Sequence, residues 1–122
     1  NPIMNREELI SFQNLVKKIP ISDNVVEHAV KLVSATRPQS EHSPDFIKKS
    51  IDWGAGPRAS QYLVLGAKAK AALEGNPTPS IDDINYLVLP ILRHRVLTNF
   101  NAEAEGLKIE DILKKLIDRF SK

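Results

Sequence analysis

The stretch Asp52-Trp53-Gly54-Ala55-Gly56-Pro57-Arg58-Ala59-Ser60 reads as the start of a helix. Gly54 and Gly56 give the backbone freedom for a tight approach, including φ > 0. Pro57 suits the first helical position, where the N–H it lacks would have no partner anyway. Gly56 is then the N-cap and Arg58 the second helical residue. A fixed positive charge is out of place there, because the N-terminal end of a helix already carries about half a positive elementary charge. Helical side chains lean toward the N-terminus, so Arg58 reaches back past the glycines. An arginine among free backbone N–H groups makes sense where an anion such as phosphate sits nearby. The plainer reading is a solvated arginine at an ordinary helix start.

The helix that follows runs from Pro57 to about Glu74. Ala59, Leu63, Gly66, Ala67, Lys70 and Leu73 recur at helical steps. Tyr62, Val64 and Leu65 leave its first half little polar surface, which makes it the central helix. Gly66 costs about 1 kcal/mol against alanine, so close packing should be its reason. Gly75 is a C-cap residue, and Pro77 and Pro79 prevent continuation.

Upstream, Leu9, Phe12, Val16 and Ile19 form one face of a helix from about Arg6 to Lys18, ended by Pro20. Ser22 caps a second helix with Asp23 in its first turn. Val25, Ala29, Leu32, Val33 and Thr36 are its inner stripe, widened by Val26 and Val30, and His28 reads as solvent-facing. Arg37-Pro38 closes it, since a residue before proline leaves the α region. Residues 39–45 are a polar loop. Phe46 to Trp53 fits a short helix or an extended run, with Trp53 as a core anchor; stacking on a nucleotide base is the alternative.

Downstream, Ser80 and Asp83 form a capping-box variant on a fourth helix with Ile84, Leu87, Val88, Ile91 and Leu92 inside. Pro90 should kink it. Continued helical geometry would set Arg93 and Arg95 on nearly opposite sides, one exposed and the other against a partner or a carboxylate. Thr98 to Gly106 reads as a loop. Ile109, Ile112, Leu113, Leu116, Ile117 and Phe120 line a last helix. The expected fold is all-α: a bundle of five helices, with a short extra element near residues 46–53.

Composition narrows the function. The 122 residues suit one domain, with 42% apolar and 26% charged content and no cysteine. The net charge of +2 is no concentrated basic footprint, and the three histidines have no metal-ligand spacing. No apolar run approaches the length of a membrane span, and the first residues do not read as a signal peptide, so the expectation is a cytoplasmic protein. No G-x-x-x-x-G-K-[ST] loop and no acid-tipped apolar strand is present, so this stretch alone should not hydrolyse ATP.

Gly54-Ala55-Gly56-Pro57-Arg58-Ala59-Ser60 resembles the sensor 2 motif of the MoxR family of AAA+ ATPases, with Gly56 where the family often has serine. Ala35-Thr36-Arg37-Pro38, Leu92-Arg93-His94-Arg95 and Ala102-Glu103-Ala104-Glu105-Gly106 resemble the same family's C-terminal region, in the same order. The resemblance implies a lid domain over residues 1–122, whose catalytic core, with its Walker A and B motifs, lies on other sequence. It implies that Arg58 is the sensor 2 arginine, with Gly54, Gly56 and Pro57 shaping the nucleotide site, and that ATP with Mg²⁺ is held mainly by that core. It also implies a hexameric ring, with Arg93 and Arg95 as candidates for contact with a neighbouring subunit. Chaperone-like assembly or activation work, often with proteins carrying von Willebrand A domains, completes the picture. The competing class is a small helical DNA-binding or protein-interaction module. A pI near 8.9 allows DNA binding, but no helix presents clustered Arg, Lys, Asn and Gln on one face.

Overall fold

The computed structural model describes residues 5–120. Among them the chain forms α1 (Arg6–Lys18), α2 (Asp23–Ala35), α3 (Asp45–Ser50), β1 (Ile51–Trp53), α4 (Arg58–Glu74), α5 (Ile81–Leu92), β2 (Leu97–Thr98), α6 (Phe100–Ala104) and α7 (Ile109–Phe120). The five long helices stand where periodicity places them. The described residues form seven helices and a two-stranded sheet: beyond the five long helices and the extra element expected near residues 46–53, a second strand and a short helix lie within residues 97–104. The stretch from Phe46 to Trp53 fits neither period cleanly because it is two elements, a short helix running into a strand. The Thr98 to Gly106 stretch is not a loop. It carries the end of β2 and then α6, capped by the Asn99 side chain on the Ala102 N–H at 3.0 Å.

α4 packs against α5, α2 and α1, and α7 lies against α2, α5 and α3. Leu63, Ala67 and Ala71 of α4, Leu32 and Val33 of α2, Ile84, Val88 and Leu92 of α5, and Leu113 and Leu116 of α7 are buried in the core. Small residues let α4 and α5 approach. A Cβ on Gly66 would stand 3.0 Å from Leu87 Cδ1, which is the packing reason expected for that glycine. Both helix stops with positive φ are glycines, Gly75 at 77° and Gly106 at 73°. At each, two backbone bonds close the last turn: Asn76 and Gly75 donate to Ala71 and Ala72, and Leu107 and Gly106 donate to Ala102 and Glu103.

Polar contacts fix the helices in register. Ser80 and Asp83 form the expected reciprocal cap on α5. The buried Asp83 also accepts from Lys70 Nζ of α4 at 2.8 Å, and Lys70 reaches Glu74 at 2.9 Å. Burial pushes the Asp83 carboxyl up, but the bonds from Lys70 and Ser80 outweigh it and hold the carboxyl below its ordinary range. His28 is not solvent-facing. It is buried on α2, and its Nε2 lies 2.7 Å from Asn85 Oδ1 of α5. Ser22 sits at the N-cap of α2 but does not cap it; its hydroxyl donates to Asn24 Oδ1 instead. Val30, Leu9 and Leu73 lie on exposed faces, so the inner stripes of α2, α1 and α4 are narrower than the apolar pattern suggests. The apolar face of α7 is buried or half-buried throughout.

Candidate functional site

β1 pairs antiparallel with β2, Ile51 opposite Thr98 and Trp53 opposite Leu97, with an irregularity between. This pairing carries the chain outward from the core and turns it into α4. Ile51 is buried, whereas Asp52 and Trp53 face outward. Trp53 is therefore not a core anchor. It is 68% exposed: regular alternation would put it on the same face as Ile51, but the pairing is irregular between the two.

The turn into α4 rests on the end of α2. Gly54 lies so close to Thr36 and Arg37 that a Cβ there would come within 2.5 Å of the Thr36 carbonyl oxygen and 2.6 Å of the Arg37 Cα. The fully buried Thr36 hydroxyl donates to the Val33 carbonyl at 2.6 Å and accepts from the Ala55 N–H at 3.0 Å. Two motifs far apart in sequence, Ala35-Thr36-Arg37-Pro38 and Gly54-Ala55-Gly56-Pro57, thus form one contact. Of the two freedoms expected of these glycines, tight approach and positive φ, the first is used, at Gly54, and the second is not. Neither Gly54 nor Gly56 has positive φ. Gly54 is required by close approach, and a Cβ on Gly56 would meet nothing within 4 Å.

α4 begins at Arg58, with Pro57 rather than Gly56 at the cap position. Pro57 already has helical angles, φ −58° and ψ −28°, as a residue at a helix start can without an N–H to satisfy. The Gly56 and Pro57 carbonyls accept the first backbone bonds, from Ala59 and Ser60. No side chain caps this helix and no acid stands in its first turn. Every other helix has an acid in its first turn. Arg58 is exposed and makes no hydrogen bond or ion pair among the described residues. The positive end of α4 is left uncompensated, with a free cation added to it. Electrostatically that is a place for an anion.

Beside the helix start lies a cleft of about 380 Å³ lined by Arg37, Gln39, Asp52, Trp53 and the Gly54–Pro57 turn. Arg37 Nε is buried at its edge without a hydrogen-bond partner. In sequence Thr36 and Arg37 stand out only as part of the Ala35-Thr36-Arg37-Pro38 motif, without a chemical role of their own. The signal was the motif itself, whose threonine sits where a helix ends and has no solvent to face.

Arg93 and Arg95 do not join this site. α5 stops at Leu92, so the two follow a turn and not a helix, and both are exposed. Arg93 Nη2 pairs with Glu110 Oε1 of α7 at 3.0 Å. Arg95 lies 4.8 Å from the centre of the Tyr62 ring and donates to the Ile91 carbonyl at 2.9 Å, which caps α5. The Glu110 carboxyl is held below its ordinary range, first by its own backbone N–H and then by Arg93 against the cost of burial. No group of three or more His, Asp or Glu among the described residues could hold a metal ion. No helix among them is long and apolar enough to cross a membrane.

Comparison with known proteins agrees with this geometry. Residues 43–116 match the AAA lid domain family, a span of more than half the chain. The chain is 30% identical over 116 residues to the uncharacterized protein YeaC of Bacillus subtilis, covering 95% of this chain and 33% of that protein. It is 24% identical over 115 residues to chaperone MoxR1 of Mycobacterium tuberculosis, covering 94% and 30%. A crystal structure of a "putative ATPase" from Cytophaga hutchinsonii superposes with a TM-score of 0.85 at 29% identity, over 92% of this chain and 34% of that one. The chain therefore spans about a third of the length of the relatives it matches. By its helices, by the turn that opens α4 and by these matches, the chain belongs to the AAA lid domain family.

Proposed function

We propose that this chain is the sensor lid of a MoxR-like AAA+ ATPase, and that Arg58 acts on the terminal phosphate of ATP held mainly by a separate core. One observation carries the reading: among the described residues, Arg58 stands unpaired at the only helix start that has neither a side-chain cap nor an acid. A cation placed against the helix dipole costs stability, and a phosphate between the two reverses the sign. Arg58 would hold the γ-phosphate, with the Gly54–Pro57 turn keeping the backbone low enough for it to approach. ATP, when bound with Mg²⁺, supplies the bond that is hydrolysed; the lid supplies a positive charge that responds to the presence of that phosphate. Gain or loss of the contact shifts the lid relative to the core, which is how a local charge becomes a conformational change.

The rest of the reading is our extension from likeness to the family. The protein works in the cytoplasm as a ring, a hexamer in the AAA+ manner, in assembling or activating partner complexes that include von Willebrand A domains. The exposed Arg93 and Arg95, already tied into α5 and α7, offer fixed charges to a neighbouring subunit. A DNA-binding role has no support in the sequence, since no helix presents clustered Arg, Lys, Asn and Gln on one face. The test is direct. Full-length protein should hydrolyse ATP, and this chain alone should not, because it has no phosphate-cradling loop. Absence of turnover from the full-length protein, or DNA binding by the chain that falls steeply with salt, would refute the reading.

A further inference from the structure

We propose that Thr36 is a positioning residue for Arg58, setting where the sensor arginine sits without touching the nucleotide. The inference rests on the sensor reading above. Arg58 is exposed and unpaired, so nothing in its own side chain fixes its place. What fixes it is the backbone of residues 54–57; the Ser60 hydroxyl holds the Pro57 carbonyl within the first turn of α4 at 2.7 Å, and the bond that ties this backbone to the end of α2 runs from Ala55 N–H to Thr36 Oγ1 at 3.0 Å.

The hydroxyl is well suited to this. Its single proton is committed to the Val33 carbonyl at 2.6 Å, so a lone pair is aimed at Ala55 and the oxygen cannot turn away. Thr36 is fully buried, so no water replaces the bond if it is lost. The second hold is steric. Gly54 lets its backbone settle against the Thr36 carbonyl and the Arg37 backbone, where a Cβ would meet atoms at 2.5 to 2.6 Å. Pull from the hydroxyl and contact at the glycine define one position for the turn, three residues before Arg58. Proximity effects in catalysis are steep in distance, and a charge misplaced by about 1 Å loses much of its effect.

The experiment measures ATP turnover of full-length protein for Arg58→Ala, Thr36→Val, Thr36→Ser and the Thr36→Val/Arg58→Ala pair. Valine keeps the shape of threonine and removes the hydroxyl; serine keeps the hydroxyl. Thr36→Val should lower kcat about five- to tenfold, the factor set by one buried hydrogen bond, with KM for ATP changed less than about twofold. Thr36→Ser should retain most of the turnover. In the Arg58→Ala background, Thr36→Val should cause no further loss, because a residue that acts through Arg58 has nothing left to act on. Should Thr36→Val fail to fold, Thr36→Cys, with a weak sulfur acceptor of similar size, takes its place under the same outcomes. Unchanged kcat in Thr36→Val, equal losses in the valine and serine variants, or an undiminished loss in the Arg58→Ala background would each overturn the proposal. An Arg58→Ala protein with normal turnover would instead overturn the sensor reading, and the positioning role with it.

Discussion

Gly54 and Gly56 look alike in sequence, yet alanine should be costly at one and harmless at the other. A Cβ on Gly54 would stand 2.5 Å from the Thr36 carbonyl oxygen and 2.6 Å from the Arg37 N and Cα. Ordinary carbon contacts begin near 3.5 Å, so the turn must retreat by about 1 Å. The opposing atoms are backbone and cannot swing aside. Overpacking of this kind costs about 1–3 kcal/mol. Retreat also stretches the Ala55 N–H from Thr36 Oγ1, and a buried donor left unpaired costs about 1–3 kcal/mol more. Gly54→Ala should therefore destabilise the domain by about 2–6 kcal/mol. With about 2.1 cal/mol/K of unfolding entropy per residue, each kcal/mol lowers Tm by about 4 °C at this length. Gly56→Ala meets nothing within 4 Å and needs no positive φ. It should be neutral or stabilising by about 0.4–1 kcal/mol, through a less flexible unfolded chain. Thermal and urea melts of the two variants decide it. Equal Tm values for both would refute the close approach of Gly54 to the end of α2.

Leu63→Ala should cost about 2–5 kcal/mol in urea melts, since Leu63 is fully buried on α4; a loss below about 1 kcal/mol would place the wrong face inside. Asp83 has a folded pKa below its unfolded value of about 3.9. Its contribution is therefore present above that unfolded value and lost as pH falls through the folded one. Asp83→Asn should be less stable at neutral pH by about 1–3 kcal/mol and should lose stability less steeply in acid than the parent chain; identical pH–stability curves would contradict the Lys70–Asp83 link.

The parts of the fold legible in sequence were those set by local chemistry. The capping pair Ser80 and Asp83, the stop at Gly75 and the apolar face of α7 each follow from a few neighbouring residues. The readings of His28 and Trp53 fail on tertiary structure. His28, between Glu27 and Ala29, reads as solvent-facing, but its partner Asn85 lies 57 positions away. Trp53, the single tryptophan, reads as a core anchor, yet the irregular pairing between Ile51 and Trp53 leaves Ile51 buried and Trp53 exposed. Arg93 and Arg95 were placed by helical angles past the point where the helix ends. At the site, Pro57 and Arg58 were legible as a helix start with an ill-placed charge. The Thr36 hydroxyl was not, because its acceptor role depends on α2 ending against a turn 19 residues later.

The central claim is that the charge of Arg58 serves an anion and not the fold. The most direct test is kcat of full-length Arg58→Ala protein at saturating ATP and intact oligomeric state, set beside the melt of the same change in this chain. Loss of a charge-assisted contact to phosphate should lower kcat about ten- to a hundredfold. The chain itself should melt no lower than before, and up to a few tenths of a kcal/mol higher, because a repulsion with the α4 dipole is removed. Unchanged kcat, with Arg58 dispensable in both measurements, would contradict the account.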